Sequence, residues 1–333
     1  MNTHRIKQLI SVSTFDRPLT VIENVVFVNL DWLTNREYQN QGINELLFIA
    51  GTYTDHTFVF LVRDGVNCKF TGLFFLIKSI IKNLNLNKDT CFVNSYEDLN
   101  IEHTTFIELD AVQMWCGNIG RAIDLPLSQS RCTKKFAGLF GRHDLYRLKL
   151  FRHLYENYKH DSVLSYNANS PNWNHRFASE FNDDKQWYEK NCPVLLDFEV
   201  PSGWVPFQNS LGTIGKHYND YFVEIVCETD IYSNRFFTEK SLKNFYLGKP
   251  FLLFAGEGSL EYLKSKGFRT FDSYLDEDYD KIRDPYAKYC AIIKEVDRLA
   301  QLPMSELHSI LERMSLIFEH NRNRFIELAS GKN

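Results

Sequence analysis

The sequence predicts an α/β protein built on parallel strands, arranged as two domains followed by helices. Three observations carry that expectation. Short runs rich in Val, Ile and Phe alternate with segments of helix length. The chain of 333 residues exceeds what one core usually occupies. After Asp284-Pro285 the apolar residues switch to helical spacing.

In order along the chain, Val21 to Leu30 reads as a first strand and Thr57 to Val62 as a second, ending at Arg63-Asp64-Gly65. Leu73 to Leu84 has helical period, and Thr90 to Asn94 and Thr105 to Leu109 are further strands. These make a first α/β domain at residues 15–128, with the Pro- and Ser-containing stretch Ile123 to Lys134 as its link to a second at 134–275. There, Lys135 to Phe140 is a strand, Gly141 to Asp144 a turn, and Leu145 starts a helix whose apolar face is Leu145, Leu148, Phe151, Leu154, Tyr155 and Tyr158. Arg147 falls off that face. Asn167 to Asn191 is polar and without period, which predicts a long surface excursion. Tyr286 to Leu299 and Ser305 to Ala329 are helical, so residues 284–330 pack on the domains as C-terminal helices.

Tyr221 to Cys227 is almost continuously apolar, Glu224 being the lone exception, and ends at Glu228-Thr229-Asp230. That pattern suits a buried strand delivering polar groups to a sheet edge. Thr238 is placed as an N-cap, Glu239 to Leu247 as helix, Gly248 as its left-handed stop and Phe251 to Ala255 as the next strand. In a parallel crossover the loop before the helix lies at the carboxyl end of the sheet, where ligands of open α/β domains bind. Lys240 sits in the first helical turn, where the helix dipole disfavours a cation unless an anion binds there. An ordinary surface Glu-Lys pair at a helix start has the same pattern.

Glu228-Thr229, followed by Phe237-Thr238-Glu239-Lys240, a helix and Gly248-Lys249-Pro250-Phe251-Leu252, resembles the donor-binding signature of the α1,3-fucosyltransferase family. The family has Asn where Thr229 stands and Phe where Cys227 stands, and its gap between the two glutamates is about one residue shorter. Lys134 to Tyr158 resembles the first strand and helix of the same domain, where an Arg in the position of Arg147 contacts the donor diphosphate; Arg142, on the loop, competes for the role. The resemblance implies two Rossmann-like domains of GT-B type and a soluble, metal-independent, inverting glycosyltransferase. Its substrate is a nucleotide-diphospho-sugar, a GDP-sugar being favoured and fucose the sugar suggested, and no cofactor is implied. Arg147 and Lys240 are assigned to the diphosphate, Glu239 to the ribose hydroxyls, and Glu228 and Thr229 to the neighbourhood of sugar or ribose. A general base is expected from the first domain on a loop after a strand; Asp64, Glu108 and Asp110 fit, and nothing in the sequence separates them. The acceptor is left open among a glycan, a lipid-linked sugar and a modified DNA base. From another class, a non-catalytic interaction or structural protein of the same fold has the same features.

Composition narrows the field. A net charge of −4 argues against a protein that holds nucleic acid mainly through backbone charge. Seven dispersed cysteines without Cys-x-x-Cys or Cys/His spacing read as reduced thiols of a cytoplasm-like compartment. Met1 to Ile10 lacks the apolar stretch of a signal peptide, and no apolar run approaches a membrane span, as in soluble bacterial or viral members of such families. Asp276-Glu277-Asp278 mimics the metal-binding Asp-x-Asp of other glycosyltransferases but closes no apolar strand, so no metal is assigned. Asp183-Asp184 is weaker still. No Gly-x-Gly-x-x-Gly follows the first strands and no Ser, His and Asp set marks a hydrolase.

Overall fold

A computed structural model describes residues 3–12, 19–30, 48, 52, 55–62, 73–83, 86, 91–95, 100–101, 104–108, 110–122, 131–141, 144–166, 182–194 and 217–331. The chain is mixed α/β and divides into two compact units, residues 1–111 and 112–333. The division falls earlier than the linker expected at 123–134, because the helix Ala111–Ala122 goes with the second unit.

In the first unit, helix α1 (Thr3–Val12) precedes strands β1 (Leu19–Ile22), β2 (Val25–Asn29) and β3 (Thr57–Leu61), helix α2 (Leu73–Asn83), and strands β4 (Cys91–Ser95) and β5 (Thr105–Glu108). They form one sheet in the order β1-β2-β3-β4-β5, parallel from β2 to β5. The single strand expected at Val21 to Leu30 is instead an antiparallel hairpin turning at Glu23, whose φ is 56°. The turn interrupts an otherwise apolar run at its two polar residues, Glu23 and Asn24. Alternation along β2 and β3 sends Phe27, Val59 and Leu61 to Ile6 and Leu9 of α1, and Val26, Val28, Phe58 and Phe60 to Ile77 and Ile80 of α2. A sheet buried on both faces is why these strands read as continuous apolar runs.

The second unit contains α3 (Ala111–Ala122, all but its first residue), β6 (Lys134–Phe140), α4 (Leu145–Tyr158), β7 (Ser162–Tyr166), α5 (Asn182–Asn191), β8 (Tyr221–Cys227), α6 (Glu239–Leu247), β9 (Phe251–Phe254), α7 (Ser259–Ser265), α8 (Pro285–Ala300), α9 (Met304–Arg313) and α10 (Ser315–Ala329). Its sheet is parallel throughout, in the order β7-β6-β8-β9. Asp144 caps α4 by accepting from the Tyr146 amide at 3.0 Å, and Gly248 stops α6 at φ 69° with its N–H on the Asn244 carbonyl. Phe245 of α6 stacks on Phe268 at 4.2 Å and meets Phe251 edge-on at 5.2 Å, which seats the helix on the core. Burying one such ring contributes about 1.5–3 kcal/mol.

Two expectations need correction here. Within Asn167 to Asn191, residues 182–191 form helix α5, not an irregular excursion. Its polar sequence hides one anchoring side, on which Trp187 meets Phe151 and Tyr155, and buried Asp184 pairs with Lys149 and Arg152. Ser305 to Ala329 is two helices broken at Met314, because α9 lies against β8 and α10 lies along α6. Gly120 of α3 allows α10 to approach, its Cβ position lying 3.3 Å from that of Ala329.

The strand order places the candidate site. From β6 the chain crosses to β7 on one side, and from β8 it crosses to β9 on the other. Right-handed crossovers put α4 and α6 on opposite faces of the sheet. Between the carboxyl ends of β6 and β8 the direction reverses, and such a switch point opens a crevice between two helix starts. Arg147 belongs to one of those helices and Lys240 to the other.

Candidate functional site

The Arg147 side chain is buried, 3% exposed, contrary to its expected place off the apolar face. The reason lies in spacing: Arg147, Leu150, Phe151 and Leu154 recur at i, i+3, i+4 and i+7 and are all buried, so Arg147 heads the stripe that faces the sheet. Its Nε and Nη2 donate to the Cys227 carbonyl at 3.3 and 3.1 Å, and Nη2 also donates to Thr229 Oγ1 at 3.0 Å. A guanidinium has five N–H donors. The two on Nη1 have no protein acceptor among the described residues, and no described carboxylate lies within ion-pair distance. A buried charge without a counter-charge is costly, and an arriving anion relieves that cost.

Lys240 faces the same small recess. Leu139, Phe140 and Gly141 at the end of β6, Glu224 to Cys227 of β8, Arg147 and Lys240 line a recess of about 10 Å³, room for about one water molecule. Lys240 Nζ is half-buried, 3.1 Å from Glu239 Oε1, and donates to Thr238 Oγ1 at 2.9 Å. Burial pushes the Glu239 carboxyl up, but Lys240 beside it, together with Lys243, holds it below the usual carboxylate range. It is therefore an ionised acceptor at neutral pH, suited to hydroxyl groups.

Glu228 serves a different end from the one the sequence suggested. It is 1% exposed, and both carboxylate oxygens are engaged within the protein. Oε1 accepts from the Thr238 amide at 3.1 Å and the Ser241 hydroxyl at 2.7 Å, while Oε2 accepts from the Thr238 hydroxyl at 2.7 Å. The carboxylate ties the end of β8 to the start of α6, where the helix dipole favours it, and so presents nothing outward to a sugar. Thr229, next in sequence, is exposed, and its hydroxyl holds Arg147.

A second bond system fixes the same helix. Lys243 Nζ pairs with both oxygens of Glu224 at 2.6 and 2.7 Å and donates to the Lys240 carbonyl at 2.9 Å, with the Tyr221 hydroxyl on Glu224 at 3.2 Å. Removing one partner of such a buried pair costs about 3–5 kcal/mol. This explains the lone Glu in an apolar strand, and sequence reasoning missed its partner because Lys243 lies in a helix of mixed composition. Lys249 and Lys288 were missed likewise. Burial pushes both ammonium groups down to about 8. Lys249 donates to the Tyr221 carbonyl at 2.6 Å, and Lys288 to the carbonyls of Ala255 and Gly256 at 2.8 and 3.2 Å.

Of the other candidates, Arg142 and Asp64 lie outside the described residues. Glu108 ends β5 and Asp110 precedes α3, both half-buried in the first unit. The Asp276-Glu277-Asp278 groups do separate work: Asp276 caps the Asp278 amide, Glu277 accepts from the Phe271 amide, and Asp278 pairs with Lys281. Among the described residues no three His, Cys, Asp or Glu side chains group as metal ligands, and no helix is long and apolar enough to cross a membrane. Gly256 allows a close approach, since a Cβ there would lie 2.4–2.7 Å from the backbone of Ser233 and Asn234. The loop after β8 therefore rests directly on the end of β9.

No protein-family model, curated protein or solved structure matches the chain, so the reading of the site rests on its residues and their geometry.

Proposed function

We propose that the second unit binds the diphosphate of a nucleotide-diphospho-sugar between Arg147 and Lys240, and that the chain is an inverting glycosyltransferase of GT-B type. The observation that carries this reading is the buried Arg147 guanidinium. It has two donors left and no carboxylate partner among the described residues, and it lines one recess with Lys240 at the sheet's switch point. The resemblance of Glu228 to Leu252 to the α1,3-fucosyltransferase donor signature favours a GDP-sugar, with fucose as the sugar suggested.

In this reading the acceptor hydroxyl oxygen attacks the anomeric carbon as the bond from that carbon to the β-phosphate oxygen breaks. The hydroxyl proton passes to a general base, for which Glu108, Asp110 and Asp64 are the sequence candidates. The charge released onto the leaving diphosphate is met by Arg147 and Lys240, a role a divalent ion fills in other transferases. Glu239 accepts from the ribose hydroxyls. Incubation with a panel of GDP- and UDP-sugars, with nucleoside diphosphate release followed chromatographically, tests the assignment. Slow release that disappears on Arg147→Met and Lys240→Gln is expected. No release from any sugar nucleotide, with or without acceptor saccharides, sinks it.

A further inference from the structure

We propose that Thr238 is a positioning residue for Lys240, its hydroxyl linking the ammonium beside the recess to the buried Glu228 carboxylate. This rests on the diphosphate reading above and deepens it, naming what holds one of the two cations in place. Lys240 lines the recess, whereas Thr238 and Glu228 do not. Whatever these two contribute to an anion there passes through Lys240.

The polarity of the link follows from donor and acceptor chemistry. Thr238 Oγ1 lies 3.3 Å from the Lys240 amide, 2.9 Å from Lys240 Nζ and 2.7 Å from Glu228 Oε2. An amide N–H and an ammonium can only donate, so they take up the two lone pairs of the hydroxyl. Its single proton is left for Oε2. The hydroxyl is thereby saturated and cannot turn without losing a bond. Glu228 is fixed in its turn, because Oε1 accepts from the Thr238 amide at 3.1 Å and the Ser241 hydroxyl at 2.7 Å. Thr238 is 6% exposed and Glu228 1%, so bulk water does not compete for these bonds.

Two consequences reach the recess. A hydroxyl that donates to a carboxylate is a stronger acceptor for an ammonium, and such chains reinforce one another where the surroundings are dry. This offsets the unfavourable place of a cation in the first turn of α6. The hydroxyl also shares Lys240 with Glu239, whose Oε1 lies 3.1 Å from Nζ. An ammonium has three N–H groups; two are held from the protein side and the third is left for a ligand. Without the hydroxyl, Glu239 is the one acceptor left to Nζ among the described residues. An ammonium on a flexible four-carbon stem with a single anchor samples many positions, and ordering it again on binding weakens the complex.

Calorimetric titration of the full chain with inorganic pyrophosphate tests the link. Thr238→Val keeps the side-chain shape without the hydroxyl and is expected to weaken binding by about 2- to 12-fold, the worth of one net hydrogen bond. Thr238→Ser, which keeps the hydroxyl, is expected to bind as the wild type does. Because Thr238 also caps α6, the same substitution is made in a Lys240→Met chain. A positioning role predicts that Thr238→Val then lowers affinity no further, while the loss of urea stability from the missing cap persists in both backgrounds. Glu228→Gln removes the charge behind the hydroxyl, is expected to follow the same pattern, and is read by the same criteria should Thr238→Val not fold. Unchanged affinity in Thr238→Val, or an equal loss in both backgrounds, overturns the proposal while the diphosphate site stands. If the wild-type chain binds no pyrophosphate, both fall.

Discussion

Replacing Arg147 by Met separates a binding role from a structural one. The ligand-free chain loses three hydrogen bonds, two to the Cys227 carbonyl and one to the Thr229 hydroxyl. Leaving that carbonyl without its donor costs about 1–3 kcal/mol, while removing an uncompensated buried charge returns a desolvation cost of similar order or larger. The terms oppose, so the variant is expected to fold with a melting temperature near wild type. With ligand the balance changes. One charge-assisted bond from Nη1 to phosphate is worth about 1.5–3 kcal/mol, so the dissociation constant rises by about 10- to 150-fold. At a pyrophosphate concentration 100 times the wild-type dissociation constant, the wild-type chain gains about 2.7 kcal/mol, and a unit of this size melts about 5–10 °C higher. At the same concentration the variant gains about 0.3–1.4 kcal/mol, or about 1–5 °C. Differential scanning fluorimetry reads both. An equal shift in variant and wild type, or unfolding of the ligand-free variant, refutes the reasoning.

Three further outcomes follow from the same geometry. Glu228→Gln replaces a charged acceptor of three hydrogen bonds at the start of α6 and is expected to cost about 1.5–3 kcal/mol in urea unfolding, with a smaller effect on pyrophosphate affinity than Arg147→Met. Gly256→Ala drives a Cβ to within 2.4–2.7 Å of the Ser233 and Asn234 backbone, and is expected to cost about 1–3 kcal/mol or displace the loop; wild-type stability would contradict the close approach. Burial pushes the Glu277 carboxyl from 4.5 up to about 7, against the Thr270 hydroxyl and the Phe271 amide, which pull it down. Between those values the folded chain holds a proton that the unfolded chain releases, so this group's stabilisation is full below about 4.5 and is lost as pH rises through about 7. The loss is at most roughly 3 kcal/mol, and Glu277→Gln is expected to flatten the slope of unfolding free energy over that window.

Much of the second unit's frame was legible because its signals are local. The cap at Thr238, the stop at Gly248 and the apolar run of β8 each depend on a few adjacent residues, and their elements fall where the spacing puts them. What was not legible depends on partners distant in sequence. Glu228 looks like an outward carboxylate until Thr238 and Ser241 are seen around it, and Glu224 is an anomaly until Lys243 is placed. Arg147 was misplaced for a different reason. Its stripe with Leu150, Phe151 and Leu154 was readable, but a cation heading an apolar stripe reads as solvated unless something beyond the chain is expected to meet it. Helix α5 was missed because one tryptophan and one aspartate anchor an otherwise polar segment.

The central claim is that Arg147 and Lys240 together hold a diphosphate. Calorimetric titration of the full chain with GDP, UDP and pyrophosphate tests it most directly. One site per chain is expected, weakened by Arg147→Met and by Lys240→Gln, and weakened most by the two together. Absence of heat with every nucleoside diphosphate, or binding unchanged in the double variant, would contradict it.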